Sequence, residues 1–192
     1  MTPARRRSRH AWLTLVIGGA SSGKSMFALS LAGSATPKAF VATGEPLDGE
    51  MAERIKRHQH SRGPGWETAE VPLTVATWVK EKGTRYRVIV LDCLTLWISN
   101  LVGRGGSSKA VLDQVATLLS AVRQASATMI IVTNELGLGL VPADPAVRAF
   151  RQLAGEVNQL VGREADEVYA VIGGLPVRIK PGRTIRRRKR AK

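Results

Sequence analysis

Gly18-Gly19-Ala20-Ser21-Ser22-Gly23-Lys24-Ser25 fits the phosphate-binding pattern G-x-x-x-x-G-K-[ST] in full. Residues 12–17 before it, Trp-Leu-Thr-Leu-Val-Ile, read as a buried strand, and Met26 to Ala32 after it read as a helix. Strand, loop and helix together are the setting this motif requires. Its glycines let backbone N–H groups turn inward around a phosphate chain, and the helix adds the positive end of its dipole. Gly18, Gly19, Ala20, Ser21, Ser22, Gly23, Lys24 and Ser25 are therefore expected to bind a nucleotide. Lys24 is expected to reach the β- and γ-phosphates, and Ser25 to hold Mg2+. The plainer alternative is a glycine-rich turn with a solvated lysine, against which strand, motif and helix all agree. The loop specifies a nucleotide and leaves the reaction open.

Working outward, Lys38 to Thr43 reads as a second strand ending at Gly44-Glu45-Pro46. Asp48 is placed to cap a helix from Gly49 to about Ser61, which Gly63-Pro64-Gly65 must break. Trp66 to Val71 looks extended, and Thr74 to Lys82 reads as a short helix. Arg87-Val88-Ile89-Val90-Leu91-Asp92 is a buried strand that ends in a carboxylate. Helices are expected over Leu94–Leu101 and Lys109–Ala125, with a loop at residues 103–108; the second has apolar residues at helical spacing. Thr128 to Thr133 is another buried strand, running into a glycine-rich loop from Asn134 to Pro142. A helix over Pro145–Gly162 and strands over Glu167–Ile172 and Val177–Lys180, around Gly173-Gly174, complete the body.

Alternating strands and helices predict an α/β fold of the P-loop NTPase type. It is a mostly parallel sheet flanked by helices, in one domain over residues 12–180. Ligands in such sheets bind beyond the carboxyl ends of the strands. The P-loop, Gly44-Glu45, Asp92 and Asn134-Glu135 all gather there. Asp92, at the end of its strand, has two open readings. It could orient Mg2+ together with Ser25, or it could cap the helix that follows.

The formal net charge is +14, from 29 basic and 15 acidic residues. Residues 1–10 hold four arginines, and residues 181–192 hold seven basic side chains and no acid. Without those two stretches the body carries 18 basic against 15 acidic residues, or +3. The charge thus sits in a basic arm at 1–11 and a basic tail at 181–192. Such runs are solvated and bind polyanions without specificity, so no specific nucleic acid is expected as a partner. Cys93 is the single cysteine, which excludes an internal disulfide and fits a reducing, cytoplasmic setting. No apolar run approaches the ~20 residues that span a bilayer.

Arg54, His58 and Arg62 stand at i, i+4 and i+8, on one face of a helix that lasts that long. Two flanking guanidiniums would disfavour a protonated imidazole and suit phosphate oxygens. A neutral imidazole is a nucleophile. A solvated basic helix is the other reading of the same residues. His60 points off that face, and His10 lies in the arm.

The sequence resembles the bifunctional adenosylcobinamide kinase / adenosylcobinamide-phosphate guanylyltransferase family of cobalamin biosynthesis. The resemblance spans roughly Leu13 to Lys180 and rests on an ordered set of stretches. These are Gly18 to Ser25, Glu50 to Ile55 leading to His58, Trp66 to Glu70, Asp92 to Trp97 with Asn100-Leu101, Thr133-Asn134-Glu135 through Val141-Pro142, Arg148 to Arg151, Asn158-Gln159 and Ala165 to Val168. It implies two steps. ATP or GTP phosphorylates a hydroxyl of adenosylcobinamide. GMP then passes from GTP, through a histidine, to that phosphate, giving adenosylcobinamide-GDP and pyrophosphate. The matching histidine is His58. The matching nucleotide contacts are Gly18 to Ser25, then Gly44, Glu45, Pro46, Ser61, Arg62, Gly63, Pro64, Glu70 and Asp92. The family also implies a homo-oligomer, with a homotrimer as the form it suggests. The chain departs from the family at Ser21, where arginine is usual, and before Trp66, where the family usually runs Arg-Pro and this chain reads Arg62-Gly63-Pro64-Gly65 with an inserted or shifted glycine. A kinase of different small-molecule specificity, and a nucleic-acid-associated P-loop ATPase using its basic tails, are the competing readings.

Overall fold

The computed structural model describes residues 11–46, 49, 53, 63 and 65–181. Seven strands form one sheet: β1 (Leu13–Gly18), β2 (Lys38–Ala42), β3 (Trp66–Glu70), β4 (Val88–Asp92), β5 (Thr128–Asn134), β6 (Glu167–Ile172) and β7 (Leu175–Lys180). Their order is β3-β2-β4-β5-β1-β6-β7. Every pairing is parallel except β6 with β7. Five helices have defined bounds: α1 (Lys24–Leu31), α2 (Val75–Lys82), α3 (Leu94–Gly103), α4 (Ser108–Ala125) and α5 (Pro145–Glu164). The expected P-loop-type parallel sheet is what the chain forms.

The central strands are apolar along their length because both faces are covered. Leu13, Leu15, Ala39, Val41, Ile89, Leu91, Met129 and Ile131 face one way. They pack with Val75 and Val79 of α2, Trp97 of α3, Leu118 of α4 and Val157 of α5. The alternate residues Val16, Phe40, Val88, Val90, Ile130 and Val132 face the other way, onto Ala28 of α1. This strict alternation fixes the register, since a slip of one residue would exchange the two faces.

Register then places functional positions on one edge. Ala42 pairs with Asp92, Asp92 with Val132, Gly18 with Asn134, and Gly18 with Val171. The carboxyl ends of β2, β4, β5, β1 and β6 therefore lie in one row.

Several boundaries differ from expectation for local reasons. β7 starts at Leu175 rather than Val177 and includes Pro176. An edge strand accepts proline because its missing N–H costs no ladder bond there. Gly173 and Gly174 both have positive φ, as a tight hairpin turn requires. α3 runs on to Gly103 and α5 to Glu164. Ser107 caps α4, whose first residue is Ser108, and the Asp144 carboxylate caps α5 ahead of Pro145. Ala11 belongs to the body rather than to the arm: it is buried, and its carbonyl accepts from Arg123 at 3.1 Å. Gly49 and Glu53 are helical. The expected Asp48 cap and the Arg54, His58 and Arg62 stripe lie outside the described residues. So do the remainders of the basic arm and tail, residues 1–10 and 182–192.

Candidate active site

The P-loop is built by close packing as well as by glycine freedom. A Cβ on Gly18 would stand 2.5 Å from the Val171 carbonyl oxygen and 2.7 Å from Ser22 Oγ. Only glycine fits there. Gly23 has φ +89, and a Cβ would meet Gly174 Cα at 3.3 Å. The β6–β7 turn is fastened onto the loop by Gly174 N–H, which donates to the Ser22 carbonyl at 3.0 Å. Ser21, a non-glycine residue, also has positive φ, 54°. No side chain caps the N-terminus of α1, and no acid occupies its first turn. Its leading N–H groups are thereby left to an anion.

Lys24 is only 5% exposed, and its Nζ donates to the Gly19 carbonyl at 2.8 Å. The ammonium is thus folded over the loop it would serve. Asp92 ends β4 with its Oδ2 buried. The capping alternative for Asp92 does not hold. The residue at that position is Cys93, whose Sγ accepts from Leu96 N–H at 3.5 Å. Burial first, and the Asp92 charge after it, push the Cys93 thiol up to about 12, against the opposing pull of the Leu96 N–H and Lys24. Two conclusions follow. Lys24 and Asp92 lie within electrostatic reach of one buried point, which brings the P-loop and the β4 carboxylate together. Cys93 is buried and stays a thiol at neutral pH.

The segment after β2 is tied to the same place. Thr43 Oγ1 donates to the Cys93 carbonyl at 2.7 Å and accepts from Cys93 N–H at 2.9 Å. Asn100 Nδ2 donates to the carbonyls of Thr43, at 2.8 Å, and Pro72, at 3.0 Å. Glu45 pairs with Arg104 at 3.1 Å. Gly44, Glu45 and Pro46 therefore leave the sheet beside Asp92. Glu70 is in register with Ala42 but on the outer strand β3. It lies two strand spacings from Asp92, roughly 10 Å, and four from the P-loop strand. The structure thus gathers Gly18 to Ser25, Gly44 to Pro46 and Asp92, and sets Glu70 toward the β3 edge. Gly63 is exposed. His58, Ser61, Arg62 and Pro64 lie outside the described residues.

Side chains not singled out as chemistry hold the end of β5. The Thr95 and Thr133 hydroxyls are 3.1 Å apart, and Thr133 donates to Asn158 Oδ1 at 2.8 Å. Asn134 N–H donates to Thr95 Oγ1 at 2.8 Å, and Asn158 Nδ2 donates to the Asn134 carbonyl at 3.0 Å. Glu135 N–H donates to the Gly18 carbonyl at 3.0 Å, joining this network to the P-loop. The sequence signal was slight: Thr43 and Thr133 stand at or just past the end of an apolar strand, and Thr95 lies in the first turn of α3.

A family model described as cobinamide kinase / cobinamide phosphate guanyltransferase matches residues 14–179. The chain belongs to this family. It is 37% identical over 180 residues to the bifunctional adenosylcobalamin biosynthesis protein CobU of Salmonella typhimurium, covering 88% of this chain and 99% of that protein. It is 34% identical over 180 residues to the protein of the same name from Escherichia coli, with the same coverage. It is 35% identical over 167 residues to the bifunctional protein CobP of Pseudomonas aeruginosa, covering 86% and 96%. Among solved structures, the RadB recombinase has a TM-score of 0.49 at 16% identity, covering 84% of this chain and 74% of that one. The cobinamide kinase / guanyltransferase match begins inside β1 and ends inside β7, so it takes in the whole sheet.

Oxygen donors of the kind Mg2+ prefers are present at the site. Ser25 offers a hydroxyl, and Asp92 a carboxylate with one buried oxygen. Among the described residues, no group of three or more His, Cys, Asp or Glu side chains could hold a metal ion. A two-donor site is of the kind completed by nucleotide phosphates and water. Among the described residues, no helix is long and apolar enough to cross a membrane.

Proposed function

We propose that this chain catalyses both reactions in its family's name. The first moves the γ-phosphoryl group of ATP or GTP to a hydroxyl of adenosylcobinamide. The second moves GMP from GTP to that phosphate by way of His58 and releases pyrophosphate. The observation that carries this reading is the P-loop with Lys24 buried over it and Asp92 in the same electrostatic neighbourhood, within a chain that matches the family from β1 to β7.

In the first step the backbone N–H groups of residues 19–25 bind the phosphates, and Lys24 moves from the Gly19 carbonyl to phosphate oxygen. It offsets charge that grows as the phosphoryl group transfers. Ser25 and Asp92 would hold Mg2+, which when bound neutralises phosphate charge. Gly44, Glu45 and Pro46 line the same edge. In the second step the neutral imidazole of His58 attacks the α-phosphorus of GTP, and pyrophosphate leaves. Ser61, Arg62, Gly63, Pro64 and Glu70 contact the nucleotide, and Glu70 does so from the end of β3. The homo-oligomer, with a trimer as its form, and the cytoplasmic setting are carried over from the family and from the single cysteine.

The test is a pair of product assays on the purified protein. With ATP and adenosylcobinamide, adenosylcobinamide phosphate should accumulate. Adding GTP should convert it to adenosylcobinamide-GDP with one pyrophosphate per product. Nucleotide hydrolysis without phosphate transfer to the corrinoid would overturn the reading.

A further inference from the structure

The β5–α5 connection carries an unusual surface for a loop. Leu138, Leu140 and Val141 are 89%, 97% and 74% exposed. Single exposed aliphatics are ordinary, but three within four residues on one loop mark a contact site. The loop is also held in shape. Arg151 donates to the carbonyls of Leu140, at 2.8 Å, and Gly137. Arg148 donates to the carbonyls of Pro142, at 2.9 Å, and Ala143, at 2.6 Å. Gly137 N–H is taken by Glu135 Oε1. Two guanidiniums from the start of α5 thus fix four loop carbonyls, and the apolar side chains remain outside. Burial of those side chains contributes nothing to this chain alone; it is available to something that docks.

The root of this loop is the phosphate site. Glu135 N–H bonds the Gly18 carbonyl, and Asn134 is paired with Gly18 across β5 and β1. Asn134 is pinned through both its backbone N–H and its carbonyl, yet its side-chain Oδ1 is buried without a hydrogen-bond partner. A buried acceptor of this kind is costly until a donor arrives. Phosphate oxygens only accept, so a nucleotide phosphate does not meet the need; a hydroxyl does. The edge therefore calls for one molecule with a hydroxyl near the P-loop and broad apolar surface farther out.

We propose that residues 135–142 form the docking lip for the acceptor substrate, whose apolar macrocycle face rests on Leu138, Leu140 and Val141. Asn134 Oδ1 accepts a hydrogen bond from its hydroxyl and orients it. This inference rests on the proposed function, since it takes the acceptor to be adenosylcobinamide. The ring's methyl-bearing face suits the aliphatic side chains, and its hydroxyl arm reaches inward to the phosphoryl group.

The experiment is steady-state kinetics of the Leu138→Ser/Leu140→Ser double variant, with Arg151→Ala as a second variant that frees the loop without changing its apolar residues. Both should raise KM for adenosylcobinamide at least tenfold. KM for ATP and covalent GMP incorporation from GTP alone, which needs no acceptor, should stay within twofold of wild type. An unchanged KM for adenosylcobinamide in the double variant overturns the proposal. So does a double variant of lower assembled mass in sedimentation velocity, which would assign the patch to contact between copies of the chain. Wild-type protein that transfers no phosphate to adenosylcobinamide would overturn the proposed function itself, and is distinguishable because it involves neither variant.

Discussion

Lys24 illustrates how much a single position must satisfy at this site. It is buried, it is cationic, and its amine is satisfied by a loop carbonyl that a phosphate can replace. Lys24→Ala should lower the cobinamide phosphorylation rate by about 10²-fold or more, in keeping with the loss of a charge contact in a water-poor site. Steady-state assays of that half-reaction check it, and a near-wild-type rate would remove Lys24 from the catalytic assignment. Cys93 gives a prediction of a different kind. Burial pushes its thiol up from the ordinary value of 9.0 to about 12 in the fold. Between those values the folded state holds the extra proton, so stability falls as pH rises. Its contribution is complete below pH 9 and is lost toward pH 12. Denaturant melts at pH 7.5, 9 and 10.5 should show a steeper alkaline loss for wild type than for Cys93→Ala; parallel slopes would contradict it. The P-loop residues were legible in the sequence because the motif is local. The need for glycine at position 18 was only half legible, since the atom that excludes a side chain there is the Val171 carbonyl, 153 residues away. Cys93 as the helix cap was not legible, because a thiol is a weak acceptor and Asp92 beside it is the better capping residue by type.

The strands were readable because each central one is covered on both faces and so appears as an unbroken apolar run. β7 was read two residues short because it is exposed and contains Pro176. What joins the elements was harder to see. Asn100 on α3 donates to the Thr43 carbonyl beyond β2 and to the Pro72 carbonyl beyond β3. One side chain thus holds three elements together next to Asp92. Asn100→Ala leaves both carbonyls without that donor, and should cost about 1–3 kcal/mol of stability. Chemical denaturation measures it, and a change under about 0.5 kcal/mol would show that water replaces the amide without loss. The family stretches quoted from the sequence include Asn100 and Asn158. Their bonding partners are 57 and 25 residues away, respectively, so the role appears only in the fold.

For the whole molecule, the carboxyl-edge site was legible from alternation of strands and helices, but the strand order was not. The order puts β4 and β5 between β2 and β1. It follows from which crossovers pack on which face, and no local pattern encodes that. Net charge is likewise a property of the chain's ends. Removing residues 1–10 and 182–192 takes away most of the +14. The trimmed protein should keep both activities within twofold and should elute from a heparin column at much lower salt. Loss of nucleotide chemistry on trimming would favour the tails as functional parts. We propose that one chain performs two transfers and that the second runs through His58. The direct measurement is acid-labile, base-stable label retained on protein incubated with GTP carrying isotope in its α-phosphate. Wild type and His60→Ala should retain it, and His58→Ala should not, while His58→Ala still phosphorylates adenosylcobinamide. Label that persists on His58→Ala, or wild-type protein that takes up none, would contradict the claim.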